Sequence, residues 1–351
     1  MKPILLLVIS MVMILSGIAL LLERPPSDED IVGQSFEESP QELEIKDLGP
    51  EDSTLSEYLL GVTYYEGKGV QQDIPKAMEH FKRASEKQHG LSALYMAHIL
   101  MYETSVNGDP KEALKYLEMS VLLGELTAHY WLGIAYEFGK GVDQDLDRAL
   151  SEYELACNAD FIIACSRYGR VSNSWLYTKS DPVEFAEITG KTLEFIHKAK
   201  KHNDPDGIVL VALRELDYAD QEFTPAEAVT DLLKVCETHK GCHCLDAALI
   251  LESGFLTPQN RDRAQAYFEE YSNHECGIDS DIHKQKLKRD ELFGSQEYKE
   301  IHKRALQGNK IALSEIAAYL RIRSNQDRLL LRWIHRFSML ANREDLKDLG
   351  N

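Results

Sequence analysis

Six cysteines give this chain its most reactive side chains: Cys157, Cys165, Cys236, Cys242, Cys244 and Cys276. Cys236, His239, Cys242, His243 and Cys244 crowd into nine residues, with His274 and Cys276 downstream. Thiolates and imidazoles at such spacing bind zinc in a reducing compartment and form disulfides in an oxidising one. Cys157 and Cys165 are eight residues apart, and so are Cys236 and Cys244. A second chemical feature is basic. Lys284 to Arg343 carries net +8 in a chain of net −19, so the remainder is −27. Within it, Arg321, Arg323, Arg328, Arg332 and Arg336 surround the apolar run Leu329-Leu330-Leu331 and Trp333. One reading is a basic capping helix with solvated arginines. The other is a docking patch for acidic protein or anionic headgroups.

Catalytic signatures are missing from the sequence. It holds no Gly-x-Ser-x-Gly, no P-loop, no His-Glu-x-x-His and no Ser-x-x-Lys. His129, His197 and His202 stand alone and read as surface or packing residues. The expectation is a non-enzyme without cofactor or metal. With 58 acidic against 39 basic residues, nucleic acid is not an expected partner.

The elements that must carry these residues begin with an apolar, uncharged run from Ile4 to Leu22. Nineteen helical residues span roughly 28 Å, close to a bilayer core. Residues 1–22 are therefore expected to form an uncleaved transmembrane anchor, with a cleaved signal peptide as the alternative. Lys2 on one side and acid on the other place the bulk of the chain across the membrane. Residues 23–54 form an acidic linker: eleven acids against Arg24 and Lys46 between 23 and 52, with Pro25, Pro26, Pro40 and Pro50. Like charge and proline keep such a stretch extended.

Beyond the linker the sequence repeats. Asp73-Ile74-Pro75-Lys76-Ala77, Asp109-Pro110-Lys111-Glu112-Ala113 and Asp145-Leu146-Asp147-Arg148-Ala149 recur every 36 residues. Asp181-Pro182-Val183-Glu184-Phe185 keeps the interval, Thr224-Pro225-Ala226-Glu227-Ala228 follows after 43, and Asn260-Arg261-Asp262-Arg263-Ala264 returns to 36. Asp, Thr or Asn followed by proline or a helix former reads as an N-cap, so each motif opens a helix. Twelve residues before each cap stands a small residue: Gly61, Ala97, Gly133, Gly169, Ala212 and Ala248. There a preceding helix passes close to its partner. Two registers agreeing over six units predict stacked helix–turn–helix units, each unable to bury its apolar face alone.

Leu60-Gly61-x-x-Tyr64-x-x-Gly67-x-Gly69-Val70-x-x-Asp73-x-x-x-Ala77 is matched by Leu132-Gly133-x-x-Tyr136-x-x-Gly139-x-Gly141-Val142-x-x-Asp145-x-x-x-Ala149. Phe81 and Tyr153 follow, then Ala84 and Ala156. This resembles the Sel-one-like repeat (SLR), a relative of the tetratricopeptide repeat, over residues 55–272. Glu103 replaces the turn glycine in the second unit and Phe185 the alanine in the fourth. The resemblance implies an all-α, right-handed α/α solenoid of six to seven units. Residues 273–351 would supply a degenerate last repeat around Ala317 to Leu331 and a basic cap. The Cys-x7-Cys spacing is similar to the cysteine-rich exported branch of the family, which implies disulfides Cys157–Cys165 and Cys236–Cys244. Cys242 and Cys276 are left to pair with each other.

The function expected from these features is a membrane-anchored, exported scaffold that binds another protein. Its expected place is a bacterial inner membrane, with the array in the periplasm. Two alternatives stand beside it. One is a periplasmic immunity protein against a phospholipase-like toxin of type VI secretion. The other is a peptidoglycan or β-lactam hydrolase.

Overall fold

The computed structural model describes residues 53–103, 105–175, 181–218, 225–254, 257–272, 293–307 and 309–323. The predicted anchor, the linker up to residue 52, and everything after Arg323 lie outside them. Among the described residues the fold is all-α, and the helices come in pairs. They are α1 (Thr54–Glu66), α2 (Ile74–Glu86), α3 (Gly90–Tyr102), α4 (Pro110–Leu122), α5 (Ala128–Phe138), α6 (Leu146–Asn158) and α7 (Ile162–Trp175). Then follow α8 (Pro182–Lys201), α9 (Pro205–Tyr218), α10 (Pro225–His239), a 3-10 turn (Gly241–His243), α11 (Cys244–Ser253), α12 (Arg261–Ser272), α13 (Gln296–Leu306) and α14 (Lys310–Arg323). No described helix is long and apolar enough to cross a membrane. The chain divides into two compact units between Cys165 and Ser166.

In the unit ending at Cys165 the repeat register holds residue by residue. Asp73, Asp109 and Asp145 cap α2, α4 and α6, their carboxylates accepting the Lys76, Lys111 and Arg148 amides at 2.9–3.1 Å. Behind each cap the second helix buries the same three positions. These are Ala77, Phe81 and Ala84, then Ala113, Leu117 and Ser120, then Ala149, Tyr153 and Ala156. The first helix answers with a missing side chain. A Cβ on Gly61 would lie 2.6 Å from the Phe81 ring, and one on Gly133 would lie 2.4 Å from the Tyr153 ring. Large ring and absent side chain are thus one packing solution at two places. Leu60 and Tyr64, expected to face a neighbouring helix, are half-buried, and Tyr64 stacks on His80 at 5.6 Å.

The interhelix loops follow their glycines. Gly67 and Gly139 end α1 and α5 in the left-handed region (φ 70° and 67°). Where Glu103 stands instead, α3 ends in extended backbone (φ −73°, ψ 110°). Gln72 and Gln144 donate side-chain amide protons across the loop to the Tyr65 and Glu137 carbonyls, both at 2.8 Å.

In the unit from Ser166 one helix departs from the register. Asp181 caps α8, accepting the Val183 amide at 2.8 Å, but α8 runs for 20 residues against 13 in α2, α4 and α6. The seven residues that lengthen the repeat are two added helical turns. Phe185, read as the core alanine's replacement, is therefore 40% exposed. The core positions lie one heptad later, at Thr192, Ile196 and Ala199, and a Cβ on Gly169 would meet Ile196 at 2.2 Å. Ala228, Leu232 and Val235 of α10 and Ala264, Phe268 and Tyr271 of α12 restore the pattern, with Asn260 capping α12 through the Arg263 amide. Thr224 lies outside the described residues. The pair α13–α14 joins the same core through Tyr298, Ala312, Ile316 and Ala317, and the Tyr298 hydroxyl donates to the Ser253 carbonyl at 2.5 Å. This last described pair begins well before Ala317.

Candidate functional site

The cysteines are bonded. Cys157, at the end of α6, joins Cys165 in α7, and Cys236, in α10, joins Cys244 at the start of α11. Each bridge links a second helix to the first helix that follows it, across Cα separations of 4.8 and 4.5 Å. All four residues are buried. Cys242 is disulfide-bonded as well, while Cys276 lies outside the described residues. The dense cysteine–histidine cluster is thus built of bonded sulfurs rather than thiolates. Among the described residues no three His, Cys, Asp or Glu side chains are placed to hold a metal.

In the unit ending at Cys165, aromatic rings from three successive first helices meet. Tyr65 of α1 lies edge-on to His98 of α3, and His98 meets Tyr102 and Trp131 of α5, with centroids 5.3–6.4 Å apart. Lys140 sits over the Tyr102 ring, 3.8 Å from its centroid, in cation–π contact. His98 is buried and desolvation lowers its pKa to about 4, so its imidazole is neutral at physiological pH. Tyr65 and Tyr102 are partly exposed along this row, although the Tyr102 hydroxyl itself is buried. The repeat motif pointed to core positions and passed over these residues, which lie beside them on the first helices.

His129 is not the isolated residue its surroundings in sequence suggested. Its Nδ1 lies 2.6 Å from Glu152, and Glu57 and His80 make the corresponding pair at 2.7 Å. His197 and His202 are exposed on α8 and just past its end. Of the five predicted docking arginines, Arg321 and Arg323 close α14 with side chains outside the description, and Arg328, Arg332 and Arg336 lie outside the described residues.

A polar cluster that the sequence did not single out occupies the unit from Ser166. Asp206, in the first turn of α9, accepts from Arg170 of α7 at 2.5 Å and faces His243 of the 3-10 turn at 3.3 Å. Desolvation would raise its pKa, but the charges of Arg170 and His243 outweigh that and hold the carboxyl well below the usual range. Two residues earlier, burial and the charge of Asp206 push Asp204 up to about 6, while its carboxylate caps α9 through the Gly207 amide at 2.7 Å.

Comparison with known proteins agrees with this architecture. Residues 54–89, 90–125, 126–161 and 244–270 match the Sel1 repeat family. The interval without a match contains α8 with its two added turns. Comparison with curated proteins returns no match. A Sel1 repeat protein from Oxalobacter formigenes superimposes with a TM-score of 0.55 at 16% identity, over 63% of this chain and 86% of that one. A protective antigen present in uropathogenic Escherichia coli strains, displaying an SLR fold, gives a TM-score of 0.50 at 19% identity. That match covers 82% of this chain, which spans 62% of the antigen's length. The chain carries Sel1 repeats in four places, and its fold is that of Sel1-like repeat proteins.

Proposed function

We propose that this chain is an exported, membrane-anchored scaffold that binds another protein and catalyses nothing itself. Sel1 repeats generally mediate protein–protein contact. The observation that carries the proposal is the aromatic row Tyr65–His98–Tyr102–Trp131, drawn from three consecutive repeats and left half-open at its two tyrosines. Tyrosine rings offer a partner large contact area at low entropic cost. Described residues 53–165 hold 17 acids against nine bases, so the partner surface is expected to be basic.

The cysteines support an oxidising compartment. Disulfides persist where the surroundings are oxidising, and Cys157–Cys165 and Cys236–Cys244 are bonded here, as is Cys242. With the apolar segment 4–22 as anchor, the repeats lie on the far side of a bacterial inner membrane, in the periplasm. Crosslinked affinity capture of the full tagged chain from its own envelope, beside Tyr65→Ala/Tyr102→Ala, tests the reading. Envelope proteins captured by the parent and lost with the double variant support the scaffold. Capture unchanged by the double variant removes the aromatic row from the interface. A single stoichiometric hydrolase as the captured protein would instead make the chain an immunity protein.

A further inference from the structure

The cluster around His243 has no part in the proposed scaffold surface, yet it joins three elements by charge. Asp206 of α9 receives Arg170 from α7, and the His243 Nε2 faces the same carboxylate oxygen at 3.3 Å. On the other side of the ring, His243 Nδ1 faces the Lys240 carbonyl at 3.4 Å. Both ring nitrogens therefore face oxygens that only accept. A neutral imidazole supplies one N–H and leaves the other nitrogen's lone pair against an acceptor, whereas the imidazolium supplies two.

The turn that carries the ring is held in place. Lys240 has φ 55° and ψ −157°, backbone that a side-chain-bearing residue adopts only when its surroundings hold it there. The Cys236–Cys244 bridge brackets the turn, and Cys242 within it is bonded too. The charged and titratable groups acting around the ring come from each side. Arg167 and Arg170 belong to α7, Asp204 and Asp206 to the cap and first turn of α9, and His239, its ring 6.2 Å away, to α10. On α12, Arg263 is engaged by Glu237 of α10.

We propose that Arg170, Asp206 and His243 form a proton-operated clasp tying α7, α9 and the turn before α11, closed when His243 carries both ring protons and slack when it loses one. The electrostatics agree in sign. Desolvation alone would lower the pKa of His243, but the hydrogen bond and charge of Asp206 raise it above the ordinary 6.5. A raised histidine contributes stability that is fully present below 6.5 and lost as pH climbs through its folded value. Asp204, at about 6, acts in the same direction, because its ionisation above that pH sets a second negative charge beside Asp206. Asp206 stays ionised throughout this window. The clasp therefore tightens as pH falls from 8 to 5.5.

The test uses the full chain. Nitrogen NMR of His243, assigned against His243→Gln, should give a titration midpoint above 6.5. Hydrogen exchange at Gly207, Ile208 and Cys242 to Cys244, corrected for intrinsic chemistry, should slow severalfold between pH 8 and 5.5. His243→Gln, which still offers a donor to Asp206, should remove the part of that pH dependence carried by His243 and leave only the share of Asp204. A midpoint at or below 6.5, or an undiminished slope in the variant, would overturn the clasp. Should the variant not fold, the midpoint and exchange of the parent chain decide alone.

Discussion

The two units solve the same packing problem with different tolerances. Up to Cys165 the helix caps recur at a fixed interval of 36 residues, and in the first and third repeats ring and glycine interlock and the loops turn on left-handed glycines. From Ser166 onward, α8 is two turns longer, a bridge and an ionic cluster surround the turn before α11, and the repeat signature fades until α11. Packing by shape leaves a sequence trace because only a few residue types fit. Packing by charge, where many residue pairs serve, leaves the neighbouring positions freer to vary.

Aromatic truncation should break this comparison most visibly. Phe81→Ala or Tyr153→Ala removes a fully buried ring and should cost about 3–5 kcal/mol in urea unfolding. Phe185→Ala, at the position that reads as equivalent in sequence, should move stability by no more than about 0.5 kcal/mol. Equal losses at Phe81 and Phe185 would show that the register of α8 has been misplaced. Next in size is the bridge. Cys236→Ser/Cys244→Ser opens an eight-residue loop and should cost about 2.5 kcal/mol by the chain-entropy relation, readable as a lower thermal midpoint. Gly61→Ala drives a methyl into the Phe81 ring and should cost about 1–3 kcal/mol, an effect that Gly61→Ala/Phe81→Leu should partly relieve. The smallest change is a gain. Asp160 ends its turn with φ 63°, so Asp160→Gly should raise stability by up to about 1 kcal/mol in calorimetry.

Much of this was legible in the sequence. Asp73, Asp109, Asp145 and Asp181 announce helix starts because a cap is a local device, satisfied within three residues. Gly61 and Gly133 announce close approach because only the absence of a side chain permits it. The position of Phe185 misled for a physical reason. Seven residues make nearly two whole helical turns, so an added heptad keeps the apolar face almost unrotated and gives no break in periodicity. Only the interval of 43 betrayed the addition, without saying where it fell. The aromatic row was invisible because its contacts run between repeats. Tyr65, His98 and Trp131 are each 33 residues from the next, an interval that marks no helix face. Arg170, Asp206 and His243 were likewise unreadable, since charges that far apart in sequence have many other partners available.

The paired histidines carry one more consequence. Glu57 bonds His80, and exactly two repeats later the order is reversed, with His129 bonding Glu152. Near-identical hairpins risk exchanging halves as the chain folds. Were α1 to seat α6 in place of its own partner, Glu57 would confront Glu152, and His80 would be left to His129. A swapped pair would set acid against acid, so the reversal works as a key that lets each helix recognise the mate beside it in the chain.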